Sequence, residues 1–112
     1  MSPTTSPCEE CVRQYLQACV DLESPPRVSE LAERAGVSAT ALTRRFRKRY
    51  GINIADYLKQ WQVARAEELM RETTLTATAI AYRCGFGTRR TFFRAYRRIR
   101  GETPAVFRSR AS

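Results

Sequence analysis

Arg44, Arg45, Arg47, Lys48 and Arg49 crowd one short stretch of the chain, and Arg89, Arg90, Arg94, Arg97, Arg98 and Arg100 crowd another. A guanidinium is a planar fork of donors that fits a phosphate or the major-groove edge of a guanine. No acidic residue lies from Arg34 to Ala55, or from Thr73 to Gly101, so neither cluster is neutralised within its own segment. The two clusters hold 11 of the chain's 20 basic residues, and the net charge is +9. A solvated basic face would explain either cluster alone. Two clusters in matching settings point to a polyanionic partner.

Other chemistry is sparse. The 112 residues include no His, which removes Ser-His-Asp and Cys-His catalysis and every His-ligated metal site. No nucleophile–base pair or phosphate loop is visible, so the expectation is a non-enzyme with no cofactor and no metal. Cys8 and Cys11 form a C-x2-C followed by Cys19, but a fourth ligand would have to be Cys84, far along the chain. Incidental thiols in a reducing cytoplasm are the favoured reading. A Cys-based redox or metal sensor coupled to nucleic-acid binding is the alternative. No apolar run is long enough to span a membrane, and no secretory leader is expected. The expected location is cytoplasmic and nucleoid-associated.

The elements that must position the two clusters read as helices. Residues 1–7 are polar with two prolines and are expected to be a disordered leader. Val12, Tyr15, Leu16, Cys19 and Val20 recur at helical spacing over 8–22. Residues 28–35 form a short helix stopped by Gly36. Ser38 caps a helix over 39–50, which Gly51 stops. Asn53 and Asp56 resemble a capping box for a long helix over 54–72, with a stripe of Ile54, Tyr57, Leu58, Trp61, Ala64 and Leu69. Thr76 caps 77–84, Thr88 caps 89–100, and Thr103-Pro104 opens a last helix to about Arg108. With no alternating strand pattern, the fold class is all-α with about seven helices.

The chain also repeats itself. Leu31-Ala32 and Gly36-Val37 match Ile80-Ala81 and Gly85-Phe86 at an offset of 49, whereas Leu42, Phe46 and Gly51 match Phe92, Tyr96 and Gly101 at 50. One extra residue therefore sits in the second turn, near Gly87. Each unit is helix, glycine turn, helix: the helix-turn-helix plan. At about 100° per residue, Leu42 and Phe46 define the inner face of the first basic helix. Its outer face carries Thr40, Arg44, Arg47 and Lys48, with Thr43 at the edge. In the second, Phe92, Tyr96 and Ile99 face inward and Arg90, Arg94, Arg97 and Arg98 outward, with Phe93 at the edge. Arg45, Arg49 and Arg100 lie off the outer faces and are expected to reach phosphates or lie along apolar surface.

On Leu42-x-Arg44-x-Phe46, Asp56-Tyr57-Leu58, Ile80-Ala81-x3-Gly85-Phe86, Phe92-x-Arg94-x-Tyr96, Gly101-x-Thr103-Pro104 and Phe107-Arg108, the chain resembles the DNA-binding domain of the AraC/XylS family of bacterial transcription regulators. The resemblance covers about residues 11–108. It implies two helix-turn-helix subdomains joined by a long connector helix. The expected division is a first subdomain over 8–52, a connector over 53–73, a second subdomain over 74–109 and a tail over 110–112. It further implies base contacts from Thr40, Thr43 and Arg44 in the first unit and from Arg89, Arg90, Phe93 and Arg94 in the second. Ser38, Arg45, Arg47, Lys48, Thr88, Arg97 and Arg98 are the expected phosphate contacts. Some positions depart from the family pattern. Arg27 stands where a capping Thr is frequent, which should weaken that helix start; Ala77 replaces a larger apolar residue, and Phe93 a small polar one.

The expected function is sequence-specific binding of double-stranded DNA for transcription regulation, activation being the commoner role. Each recognition helix would enter one of two successive major grooves, about 34 Å apart. RNA polymerase is the expected further partner and a monomer the expected state. The rival reading is a non-specific architectural module for DNA or RNA, which needs charge alone.

Overall fold

In the computed structural model, residues 7–111 are described, with side chains from Glu10 onward. Its seven helices are α1 (Pro7–Leu22), α2 (Val28–Ala35), α3 (Ala39–Tyr50), α4 (Ile54–Glu72), α5 (Ala77–Arg83), α6 (Arg89–Arg100) and α7 (Pro104–Ala111), and no strand occurs among the described residues. None of these helices is long and apolar enough to cross a membrane. Residues 1–6 of the expected leader lie outside the described residues, and Pro7 already belongs to α1.

Contacts divide the chain into two units, one ending at Leu58 and the other taking Glu23–Pro25 with everything from Lys59 onward. The division falls within α4.

In the first unit α1 packs on α2 and α2 on α3. Val12, Tyr15, Leu16, Cys19, Leu31, Ala32, Leu42, Phe46, Ile54 and Leu58 are its buried apolar residues. The start of α2 is better held than Arg27 suggests. Arg27 makes no side-chain cap. The buried Tyr15 hydroxyl instead accepts from the Arg27 backbone N–H at 2.7 Å and donates to Glu30 Oε1 at 2.7 Å. Glu30 is the third residue of the helix, the position whose carboxylate normally reaches back to the cap N–H. Here a phenol from α1 is inserted into that bond. Burial pushes the Tyr15 phenol well above its usual range, which keeps it a donor.

The second unit has Val63, Ala66, Leu69, Met70, Ile80, Ala81, Cys84, Phe86, Phe92 and Tyr96 as its buried cluster. Ala77, where a thinner contact was expected, packs at its margin with Leu75, Ile99 and Phe107. The stripe expected along α4 needs one correction. Ala64 is exposed; it lies about 200° around the helix from the buried Ala66. Gln62, inside the second unit, donates to the Cys84 carbonyl at 2.8 Å. That bond satisfies a carbonyl left over at the end of α5.

Each helix-turn-helix closes with the same pair of backbone bonds. Gly36 N bonds Glu33 O at 3.1 Å and Val37 N bonds Ala32 O at 3.1 Å, while Gly85 N bonds Tyr82 O at 3.2 Å and Phe86 N bonds Ala81 O at 2.8 Å. This is the Schellman ending, repeated at the offset of 49 read from the sequence. The second turn then runs one residue longer before α6. Gly85 combines two demands: its φ is +84°, and an added Cβ would stand 2.6 Å from the Pro25 Cα. Gly51 has φ +73° but open space around it.

Glu67 of α4 ties down α6. Arg100 donates from Nε and Nη2 to its two oxygens at 3.0 Å each, and the Tyr96 hydroxyl donates at 2.9 Å. Burial pushes the Glu67 carboxyl up, but the bonds from Arg100 and Tyr96, with the charges of Arg100 and Arg71, hold it below its ordinary value. Arg100, which remains exposed, is thus engaged by an acid, a partner that the sequence does not point to. At the end of the chain, α7 runs past Arg108 into the expected tail, where Arg110 forks onto Glu102 at 2.6 and 2.7 Å.

Two outcomes follow for stability. Gly85→Ala should cost about 2–4 kcal/mol, the sum of a left-handed backbone and an overpacked contact, whereas Gly51→Ala should cost about 1–2 kcal/mol; urea unfolding compares them. Glu67→Gln should cost about 1–2 kcal/mol near neutral pH. Because the folded carboxyl sits below its ordinary value of 4.5, its contribution is full above that pH and fades as pH falls through the folded value. The gap in Tm between wild type and Glu67→Gln should therefore be largest near pH 7 and close in acid.

Candidate nucleic-acid interface

The roll of α3 about its axis is set by two buried side chains one turn apart. Leu42 is 2% and Phe46 3% exposed. Phe46 is gripped by Tyr50 and Tyr57, with ring centroids at 4.6 and 5.1 Å. That leaves Thr40, Arg44, Arg45, Arg47 and Lys48 exposed, and Thr43 half-buried at the margin. Ser38 caps the helix, its hydroxyl oxygen accepting from Ala41 N at 3.1 Å.

The same arrangement recurs in α6. Phe92 and Tyr96 are fully buried and Ile99 half-buried. Arg89, Arg90, Arg94, Arg97 and Arg98 are exposed, with Phe93 half-buried at the margin. Thr88 caps the helix by accepting from Thr91 N at 3.1 Å, and its hydroxyl donates to Thr91 Oγ1 at 3.0 Å. Both hydroxyl functions of Thr88 are therefore engaged within α6. Phe93 does not project freely: it leans on the buried cluster, and the Arg89 guanidinium lies 4.2 Å from its ring centroid.

Ion pairs join Arg13 to Glu10, Arg65 to Glu68, Arg83 to Glu23, Arg100 to Glu67 and Arg110 to Glu102. Within the two basic clusters, Arg100 is engaged by one of these pairs. Arg49 lies over the ring of Tyr50, 5.7 Å from its centroid. The charges of Arg44, Arg45, Arg47, Lys48, Arg90, Arg94 and Arg97 face solvent without a carboxylate partner among the described residues.

One basic residue escaped the sequence reading. Lys59 of α4 is half-buried with Nζ 5.4 Å from the Phe86 ring centroid. Burial lowers its pKa, and the neighbouring charge of Arg98 lowers it further. It therefore adds a cation beside α6, although it lies on a different helix. No local pattern marks it, since only the packing of α4 on the second turn brings it there.

The thiols sit elsewhere. Cys19 is buried in the first unit and Cys84 in the second, both free, and Cys11 is half-buried. Burial pushes the Cys84 thiol up to about 11, which leaves almost no reactive thiolate near neutrality. The side chain of Cys8 lies outside the described residues. Among the described residues no group of His, Cys, Asp and Glu could hold a metal ion.

The chain matches a helix-turn-helix domain family over residues 31–110. It is 32% identical over 81 residues to a putative AraC-like transcription regulator of Streptomyces lividans, covering 72% of this chain and 27% of that one. To the transcriptional activator RhaR of Cronobacter sakazakii it is 30% identical over 106 residues, covering 93% and 38%. The chain thus spans about a third of the length of these relatives. Among solved structures, the DNA-binding domain of AdpA, a global transcriptional factor in complex with a target DNA, superposes with a TM-score of 0.82 at 29% identity, covering 95% of this chain and 93% of that one. With two capped helix-turn-helix units and this family match over most of its length, the chain belongs to the AraC-type helix-turn-helix domain family.

Proposed function

We propose that the chain binds double-stranded DNA in a sequence-specific way and regulates transcription, with α3 and α6 each entering one of two successive major grooves. The observation that carries this reading is the pair of capped helices whose inner faces are buried by Leu42 and Phe46, and by Phe92 and Tyr96. Their outer faces thereby carry Arg44, Arg45, Arg47, Arg90, Arg94 and Arg97 without acidic partners among the described residues. In this reading Thr40, Thr43 and Arg44, and Arg89, Arg90 and Arg94, contact base edges. Arg45, Arg47, Lys48, Arg97 and Arg98 contact phosphates. Ser38 and Thr88 face the phosphates as the first residues before their helices, where backbone N–H groups and the helix dipole also favour an anion. Activation through RNA polymerase, a monomeric state for this segment and a cytoplasmic location belong to the same proposal. Binding rather than catalysis is its work.

A purely electrostatic module would bind any duplex alike, so competition decides between the two readings. Sequences selected from a random duplex pool should bind at least about 10³-fold tighter than random duplex at physiological salt. A ratio near one would establish the non-specific alternative. Arg44→Ala and Arg94→Ala should each cost about 1–3 kcal/mol on the selected site and relax preference at one base pair, while Arg98→Ala should weaken all duplexes alike and lower the salt slope by about one. Inserting about five base pairs between the two half-sites rotates one by half a helical turn and should remove most of the specific affinity.

A further inference from the structure

The first turn of α6 raises a problem of its own. Arg89 and Arg90 open the helix directly after its Thr88 cap, where the dipole's positive end disfavours cations. No carboxylate lies in the sequence from Thr73 to Gly101 to hold either side chain. Arg89 nonetheless has a fixed seat, with its guanidinium carbon 4.2 Å from the centroid of the Phe93 ring. Four residues apart, the two share one face of the helix. Phe93 is held in turn. It packs against the buried cluster of the second unit and meets Phe92 edge to face, with centroids 5.7 Å apart and planes at 90°. Arg90, next in sequence, has no such seat among the described residues.

We propose that Phe93 is a positioning residue for Arg89: its ring holds the guanidinium over the first turn of α6 so that Arg89 reads one base pair, and Phe93 contacts no base itself. The assignment rests on the DNA-reading function above. An arginine loses rotamer freedom when it binds, and a ring that holds it beforehand reduces that loss. The geometry also opposes the other use of an aromatic at this place, contact with a thymine methyl, since the guanidinium lies over the ring at van der Waals range.

The test compares wild type, Arg89→Ala, Phe93→Leu and Phe93→Tyr by selection from a random duplex pool and by affinity for the selected site. Leu keeps the apolar bulk and removes the ring, whereas Tyr keeps the ring. Arg89→Ala should flatten preference at one base pair by about tenfold. Phe93→Leu should flatten the same base pair by about two- to fivefold, the strength of an exposed cation–π contact, and Phe93→Tyr should restore it. Replacing thymine by deoxyuracil throughout the site should leave the ratio of wild-type to Phe93→Leu affinity unchanged. The proposal is overturned if Phe93→Leu alters a different base pair, weakens every base pair equally, or changes nothing. It is also overturned if the ratio collapses on the deoxyuracil site, because the ring would then be reading a methyl. A wild-type protein that selects no sequence at all would overturn the DNA-reading function itself, a result distinct from all of these.

Discussion

A helix can hide only one side, and that constraint decides what α3 and α6 present. In each, two large side chains a turn apart are driven into the core: Leu42 with Phe46, and Phe92 with Tyr96. At about 100° per residue, Arg44 and Arg94, midway between them, must turn outward. Burying two such side chains contributes several kcal/mol, more than the mutual repulsion of a few solvated arginines removes. The basic outer faces are thus a consequence of the core, held in place by hydrophobic packing and not by any ligand.

Acid placement completes the arrangement. The pairs of Arg13, Arg65, Arg83, Arg100 and Arg110 with their carboxylates lie off the outer faces of α3 and α6. Two carboxylates take on structural tasks through buried tyrosines. Glu30 receives the Tyr15 hydroxyl where α2 begins, and Glu67 receives that of Tyr96. Glu67 also pairs with Arg100 of the second basic cluster. The sorting of arginines into outward-facing and structural ones therefore depends on where the few acids stand.

Much of this was legible in the residues. Ser38, Thr76 and Thr88 act as the caps their types suggest, and the glycine turns mark the two repeats. The inward faces of α3 and α6 followed from periodicity alone. What was not legible depends on pairs far apart in sequence. Arg100 meets Glu67 across 33 residues, and Tyr15 completes the start of α2 from 12 residues away. Neither separation has a helical or strand period. Ala64 misled because α4 serves two cores, Ile54 and Leu58 in the first unit and Val63, Ala66, Leu69 and Met70 in the second, so one continuous stripe does not describe it. The extra residue of the second turn shows in the repeat offsets, but the close approach of Pro25 to Gly85 has no local signature. Which bases each arginine meets is likewise a property of the complex and not of the chain.

The central claim is that the outer faces of both α3 and α6 meet DNA at the same time. Titrating the isotope-labelled protein with its selected duplex, and following backbone amide and arginine side-chain resonances by NMR, tests this directly. Concerted shifts over Ser38–Lys48 and Thr88–Arg98 are expected at one duplex per chain, with the resonances of Arg13, Gln14 and Gln17 on the exposed side of α1 unmoved. Shifts confined to one of the two helices, or spread over all exposed arginines in proportion to charge, would contradict it.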